Sequence, residues 1–495
     1  MAVQSARVCI IGGGAAGFYS AISCVEAAAA AAAAQSRRLP AGAGQSSPAA
    51  PGAGVVILEQ SSDVLHKVRI SGGGRCNVTY GNWDNPALAP ARVYPRGAEL
   101  IAALTPQHGP KETTGWFNAQ GVRLKQEDDG RIFPASNSSA CVVNCLKEAA
   151  ERLGVCVRTS TRVQSVATLG TSHVESLESC ATHFQIAVED DSGLPSEVRC
   201  TRLVFCCGSA QKRSVRRLFT NLGIPDSPVA PSLFSLLFED PKSSGLEGLQ
   251  GLAVPRACIS VAHFGGSRAA EPMGIELTPE TGALLITHVG LSGPAILRLS
   301  AWGAFKFQSC AYRARLLIDW LPDVKDVQSM ADAIGAVPAG RPGLRPPVRK
   351  KRLGDVSPWP GHLPARLWGR LLERAEKRNN AVLTGVSWSR FDKAEAALDL
   401  ARMMWPELKQ HEVLVSGRRA NKEEFVTAGG VDWRHELDWE RMESTSCPGV
   451  HFAGEVLDVD GITGGFNFQG CWTTGYIAGR AAAEALIPPP DEEKL

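Results

Sequence analysis

The sequence predicts an α/β fold in which a parallel-sheet domain is interrupted by a smaller, β-rich insert. Three observations predict it. Val8 to Ile11 is a short, β-branched apolar run that breaks into Gly12-Gly13-Gly14, and Gly17 completes G-x-G-x-x-G. Val55 to Leu58 is a second such run and ends at the acidic Glu59. The chain closes on a third glycine-rich strand, turn and helix pattern, His451 to Ala485, after a central stretch of different texture. A strand, a glycine turn, a helix and a strand ending in an acid together form a dinucleotide-binding unit.

Each part of that unit has a physical task. Gly12 makes the tight turn, Gly14 lets a pyrophosphate approach the backbone, and Gly17 lets the helix pack closely on the strand. The helix begins there with its free N–H groups, Ala16 among them, aimed at the phosphates. Glu59, with Gln60 beside it, stands where a carboxylate takes the adenosine ribose hydroxyls. A Glu here favours an unphosphorylated ribose, as in FAD or NAD. The spacing departs from the rule: Glu59 lies 42 residues after Gly17 instead of about 20. Glu26 is followed by eight alanines, and Gln35 to Gly54 is rich in Ser, Pro, Gly and Ala, so we read an insertion at about 27–54: an extended helix, then a surface loop.

The next stretch, His66 to Thr79, places Ser71, Lys67, Arg75, Cys76 and Asn77 around the triple glycine Gly72-Gly73-Gly74. Such glycines let a flat ligand lie against the backbone, and Arg75 and Asn77 offer donors to carbonyl or phosphate oxygens. Glu127 to Pro134 reads as a hairpin turn and strand, and Asn137 to Leu153 as a helix. Val155 to Val166, Phe184 to Val188 and Arg199 to Cys206 read as strands. Prolines cluster from Pro225, and short strand patterns follow at Ser232–Phe238, Ala257–Phe264, Gly274–Leu277 and Gly282–Thr287. In the stretch Thr287-His-Val-Gly-Leu-Ser-Gly-Pro294, Ser292 is expected as a helix N-cap. Residues 324–364 read as a second low-complexity insertion, and Leu363 to Ala401 as mainly helical. Near the end, Gly454-Glu455 follows a strand, and the turn Gly464-Gly465-Phe-Asn-Phe-Gln469 leads into a final helix expected from Trp472 to Ala485. Glu455 is placed to accept from ribityl hydroxyls, and the helix N-terminus suits the electron-rich N1–C2=O edge of a flavin.

Bulk properties narrow the classes. With 52 basic and 50 acidic residues in 495, the net charge of +2 gives no electrostatic reason to expect nucleic acid. The basic RPPVRKKR run, Arg345 to Arg352, sits among prolines and glycines and reads as a solvated loop. No apolar run approaches the roughly 20 residues a membrane span needs. Only six residues precede the first expected strand, which leaves no space for a leader peptide, so a soluble cytoplasmic protein is expected. The 14 cysteines show no C-x-x-C, so neither metal nor structural disulfides are expected.

HKVRISGGGRCNVT, EDDGRIFPASNSSA, THVGLSGPAILRLS, EEFVTAGGV and FAGEVLDVDGITGGFNFQGCWTTGYIAG together resemble the BaiN/YhiN-like FAD-dependent oxidoreductases over nearly the whole chain. At Cys206-Cys207-Gly208-Ser209 many members have Ala-Thr-Gly-Gly, a departure that keeps the small-residue turn. The resemblance implies a discontinuous Rossmann-type FAD-binding domain, 1–228 plus 417–495, around an insert at 229–416. It implies FAD contacts from Gly12, Gly14, Gly17, Glu59, the Ser71–Asn77 loop (Gly73, Arg75, Cys76), Lys67, Gly454, Glu455 and Gly465 to Gln469, including Asn467 and Phe468. Val163 is expected to meet the adenine through its backbone.

The expected chemistry is hydride transfer between flavin N5 and a small organic substrate. No second G-x-G-x-x-G follows a strand, so NAD(P)H is expected at most as a transient donor. His288 is the candidate for proton transfer, and Arg75 for an anionic substrate group or a flavin oxygen. A flavin-bound regulatory or redox-sensing protein without turnover is the alternative. A tRNA-modifying flavoenzyme is disfavoured by the charge balance.

Overall fold

The computed structural model describes residues 3–36, 54–81, 83, 85, 89–169, 183–225, 227–265, 277–338, 348–419 and 426–487. Most of the insertion expected at 27–54, residues 274–276 of one expected strand, and residues 345–347 of the basic run lie outside them. The chain forms two compact units, Met1–Ala230 with Val426–Leu495, and Pro231–Phe425.

The first unit is built on a seven-stranded sheet. Its parallel centre is made by β1 (Val8–Ile11), β2 (Val55–Leu58), β3 (Arg202–Phe205) and β4 (Val450–Phe452), in the spatial order β4, β3, β1, β2. Val8 lies opposite both Val55 and Arg202, and Leu203 opposite Val450, so three distant segments share one register. All four residues of β1 and of β2 are buried, which accounts for their continuous apolar runs. The expected single strand from Arg199 to Cys206 is two strands in two sheets. Pro195–Cys200 joins a four-stranded sheet with Val3–Ser5 and His183–Asp190. Thr201 then turns the chain, its hydroxyl donating to the Arg7 carbonyl at 2.8 Å, before β3 enters the main sheet.

Helices pack on this sheet. Helix α1 (Ala15–Ser36) runs through the alanine tract, and α2 (Arg213–Thr220) follows β3. The expectation of no apolar run of spanning length is corrected by α1. It is long and apolar enough by composition, but two-thirds of its apolar window is buried inside the protein. Helix α3 (Phe466–Ala482) begins at Phe466 instead of the expected Trp472, because the turn is only Gly464-Gly465, and it packs on α1 through glycines. A Cβ on Gly479 would lie 2.2 Å from the Ser20 carbonyl oxygen, so the two backbones touch where any larger residue would separate them.

The second unit is a closed six-stranded barrel, in the order Ser235–Phe238, Gly290–Ser292, Glu280–Ile286, Ala253–Phe264, Arg313–Asp319 and His411–Arg419. Helices Val327–Gly335, Ala365–Asn379 and Ala394–Lys409 accompany it. Two expectations are corrected here. Ser292 is the last residue of a strand, where its hydroxyl accepts from Ser235 at 2.7 Å, and Gly293 (φ +95°) caps the helix that starts at Pro294. Residues 324–364 are not a low-complexity loop throughout. Leu353, Val356, Trp359 and Leu363 are buried in the core of this unit, and Asp326 caps Val327–Gly335 by accepting from the Ser329 N–H at 2.7 Å.

Candidate cofactor site

The N-terminal half of the site is the turn from β1 into α1. The Gly12 N–H donates to the Leu58 carbonyl at 2.8 Å, which holds the turn against the end of β2. Gly12 has φ +112°, and a Cβ there would lie 2.3 Å from the Cys206 carbonyl oxygen. A Cβ on Gly17 would lie 1.9 Å from the Gly12 carbonyl oxygen. On Gly14 it would meet no heavy atom within 4 Å. Gly12 and Gly17 are therefore glycines because the fold closes on them, and Gly14 faces open space. The carboxylate of Glu59 accepts from the Gly13 N–H and the Ser61 N–H, each at 2.8 Å, so the acid stands at the glycine turn despite its distance in sequence. Gln60, next to it, is exposed. Val163 lies on Thr161–Leu169, whose first N–H donates to the Glu59 carbonyl at 2.8 Å.

The triple glycine ends a short helix, His66–Gly74, in a left-handed turn. Gly72, Gly73 and Gly74 have φ of +59°, +69° and +80°, a succession that L side chains rarely adopt. A Cβ on Gly73 or Gly74 would meet nothing within 4 Å. Cys76 is fully buried at φ +61°, and burial pushes its thiol up to about 12, so it contributes main chain and packing. Asn77 Oδ1 is buried and has no hydrogen-bond partner. Arg75 has a protein partner of its own. Its guanidinium donates to Glu127 at 2.6 Å and lies 3.9 Å from the centroid of Phe133, which fastens the glycine loop to the hairpin Leu124–Pro134.

The C-terminal half follows β4. Gly454 (φ +78°) donates its N–H to the Thr474 hydroxyl at 2.9 Å, and a Cβ on it would lie 2.7 Å from that of Ala16. The two half-sites therefore meet at Ala16 and Gly454. Glu455 pairs with Lys67, and its other oxygen accepts from the Thr427 N–H at 3.0 Å and hydroxyl at 3.1 Å. Helix α3 starts at Gly465 (φ +95°) with no side-chain cap, which leaves its first N–H groups available. A Cβ on Gly465 would lie 2.8 Å from Asn77 Oδ1, so this turn and the triple-glycine loop are in contact.

Two side chains expected at the cofactor are committed to the protein. Asn467 clamps the backbone of Gly461, accepting from its N–H and donating to its carbonyl, each at 2.8 Å. Gln469 is fully buried one turn into α3. Its carbonyl oxygen accepts from Thr79 at 2.6 Å, and its amide donates to Thr473 at 3.0 Å and Thr113 at 3.1 Å. Phe468 stacks on Trp472 with ring centroids 5.8 Å apart. The sequence did not single out Thr427, His108 or the Arg96–Asp460 ion pair that braces the segment before α3. Thr427 was within reach, since it stands in the quoted TAGG stretch. Arg96 and His108 had no local signal.

Burial dominates the electrostatics. It pushes the Cys207 and Cys471 thiols up to about 12, so neither is a ready nucleophile. It also raises the Asp458 carboxyl above its ordinary value, while Asp458 accepts from the Gly429 N–H at 3.1 Å. Burial lowers His108 to about 4, and its Nε2 shares a hydrogen bond with the Tyr19 hydroxyl at 2.9 Å. His288 is exposed between the barrel strands Glu280–Ile286 and Gly290–Ser292, in the second unit.

A dinucleotide fits these residues. Open space over Gly14 and two helix N-termini suit its phosphates and an electron-rich ring edge, and Asn77 Oδ1 is a buried acceptor left without a donor. The family model described as "HI0933-like protein Rossmann domain" matches residues 40–481. The chain is 28% identical over 500 residues to the 3-dehydro-bile acid delta(4,6)-reductase of Clostridium scindens, covering 97% of this chain and 99% of that protein. It is 26% identical over 446 residues to the ribosomal RNA dihydrouridine synthase of Escherichia coli, covering 88% and 92%. Among solved structures, the 3-ketosteroid-delta4-(5alpha)-dehydrogenase of Rhodococcus jostii RHA1 is 14% identical with a TM-score of 0.44, over 98% of this chain and 97% of that one, a likeness too loose to speak to substrate. The chain belongs to the HI0933-like Rossmann-domain family, whose members are FAD-dependent oxidoreductases.

Proposed function

We propose that the protein reduces a carbon–carbon double bond conjugated to a carbonyl, with a small cyclic enone as substrate. The end-to-end match to the bile acid reductase carries this reading. That relative's name describes a 3-oxo compound with double bonds at positions 4 and 6, a conjugated dienone. The second relative's product is uridine reduced at its ring double bond, which is conjugated to a ring carbonyl. The two names share one chemistry, so a uracil base in ribosomal RNA is the second reading.

FAD held there in its reduced form would supply the hydride to the carbon remote from the carbonyl. The chain's residues hold and orient. The first turn of α1 and Gly14 receive the pyrophosphate, Glu59 the adenosine ribose hydroxyls, and Glu455 the ribityl hydroxyls. The uncapped N-terminus of α3 would hold the electron-rich edge of the ring system, because its dipole favours negative charge. His288 donates the proton to the carbon next to the substrate carbonyl. Arg75 takes no part in proton transfer; it keeps the triple-glycine loop in place. NAD(P)H from solution would be the reductant that returns the cofactor to its reduced form.

The test is anaerobic. FAD-loaded protein is bleached with NADH or NADPH, then mixed with a 3-oxo-4,6-diene steroid. Return of the yellow colour with loss of the dienone chromophore is expected, and His288→Ala is expected to slow that step at least tenfold without changing bleaching. Bleached protein that ignores both the dienone and uridine-containing ribosomal RNA would exclude the reductase reading in favour of a non-catalytic flavoprotein.

A further inference from the structure

The exposed face of α2 carries charge that the cofactor site does not use. From Arg199 to Pro225 the chain has six basic residues and no acidic one. Arg199 is paired with Glu197, and Arg216 donates to the Ala210 and Gln211 carbonyls at 2.7 and 2.9 Å. Lys212, Arg213 and Arg217 are exposed and enter no ion pair among the described residues. Elsewhere arginines are commonly neutralised, as in Arg69–Asp63, Arg298–Glu280 and Arg441–Glu484.

The arrangement is unfavourable for the helix itself. Lys212 is the N-cap and Arg213 the first helical residue, so both cations sit at the positive end of the dipole. Arg213 and Arg217 are four apart and repel each other across one turn. Local preference and sequence disagree, which marks a position kept for another purpose. An external row of negative charge removes the conflict.

We propose that this face of α2 binds the phosphate backbone of RNA. The apolar residues of α2, Leu218 and Phe219, are buried, so its outer face offers nothing to the acyl region of a membrane or to the apolar centre of a protein interface. What it offers is a rigid row of cations at one-turn spacing, which suits phosphates repeating along a strand. The location is also apt. The turn Cys206–Lys212 joins β3 to α2, and at its Gly208 a Cβ would lie 3.9 Å from Glu455 Oε2. Ser209 shares a hydrogen bond with Thr427, which donates to Glu455. A polyanion on α2 therefore lies beside the cofactor site of its own unit. The near-neutral net charge of the whole chain averages this face away. The proposal rests on the uracil form of the proposed function for its purpose, but not for its test.

Binding is read without turnover, by fluorescence anisotropy of a labelled RNA stem-loop with the FAD-loaded protein over a salt series. Charge reversal at three positions, Lys212→Glu, Arg213→Glu and Arg217→Glu together, is expected to weaken binding at least tenfold. The slope of log affinity against log salt is expected to flatten by about two to three, at about 0.9 per lost phosphate contact. If the triple variant loses FAD, Arg213→Gln with Arg217→Gln replaces it, with a slope change of about two expected. Unchanged affinity and slope in a FAD-loaded variant overturns the proposal, as does wild-type protein that does not bind the stem-loop at low salt. Equal dependence of polyglutamate or phosphatidylserine-vesicle binding on these residues, with RNA binding indifferent to them, also overturns it. Failure of dienone or uridine reduction leaves these binding outcomes unaffected, so the two proposals fail separately.

Discussion

The two glycine turns that meet at Ala16 and Gly454 are held in different ways. The first, Gly12 to Gly17, is held by backbone sterics: the Cys206 carbonyl closes on Gly12, and the Gly12 carbonyl closes on Gly17. The second, Gly464 to Gln469, is held by hydrogen bonds from remote parts of the chain. Tyr94 donates to the Phe466 carbonyl at 2.6 Å, Thr79 to Gln469 at 2.6 Å, and Trp472 to the Val78 carbonyl at 2.9 Å. A motif whose glycines are demanded by backbone contacts can be read from its own letters, because only glycine fits whatever the partner is. One whose polar residues answer to partners hundreds of positions away cannot. Gln469 is the clearest case, with its letter in the cofactor motif and its side chain in the core.

Substitutions probe this difference, and the largest effect belongs to the steric turn. Gly12→Ala adds a Cβ 2.3 Å from a backbone oxygen at a φ of +112°, where no side chain can move aside. We expect a loss of about 4 kcal/mol or more and little soluble yellow protein, read from expression and flavin content. Next comes the hydrogen-bonded turn. Gln469→Leu keeps the volume but strands the Thr79 hydroxyl and takes a donor from Thr113 and Thr473, at an expected cost of about 2–4 kcal/mol in denaturant unfolding. An unchanged midpoint would return Gln469 to the cofactor.

Acid separates the turns further. His108, whose carbonyl accepts from Thr473 at 2.7 Å, and His451 in the middle of β4 are both lowered to about 4 by burial. As pH falls below about 6.5, the unfolded chain takes up protons that the folded one refuses. Stability should therefore be level above that pH and fall between about 6.5 and 4, by about 1.4 kcal/mol per pH unit for each histidine. Urea midpoints at two pH values check it, and His108→Asn should remove one histidine's share. The smallest effect on stability is expected from Gly14→Ala, whose Cβ meets nothing within 4 Å. Its midpoint should move by less than about 0.5 kcal/mol, with FAD affinity falling about tenfold as the methyl occupies the pyrophosphate's approach. Loss of stability without loss of affinity would reverse the role assigned to Gly14.

Legibility followed the range of the forces involved. The buried strands β1 and β2, the hairpin Leu124–Pro134 and the final helix were readable because apolar periodicity and turn residues act locally. The displaced acid was readable as well, since the low-complexity composition before Glu59 marked the insertion that displaced it. The split of 199–206 was not readable, because Thr201 interrupts an apolar run without a glycine or proline. Nor was the core role of Leu353 and Trp359, which are scattered among prolines, glycines and arginines. Arg75 looked available because Glu127 stands 52 positions away.

By itself the sequence determined the α/β class, the identity of the two cofactor half-motifs and the family, because each rests on short-range sterics, periodicity or a long continuous match. Tertiary structure decided which of the motif's polar side chains are free. Asn467, Gln469 and Arg75 are engaged by the protein, Glu59 and Glu455 accept from backbone and side-chain donors at the turns, and Asn77 Oδ1 is left without a donor. The physical reason is that a side chain's availability depends on what else is folded against it, and hydrogen-bond satisfaction is settled only when distant segments are brought together.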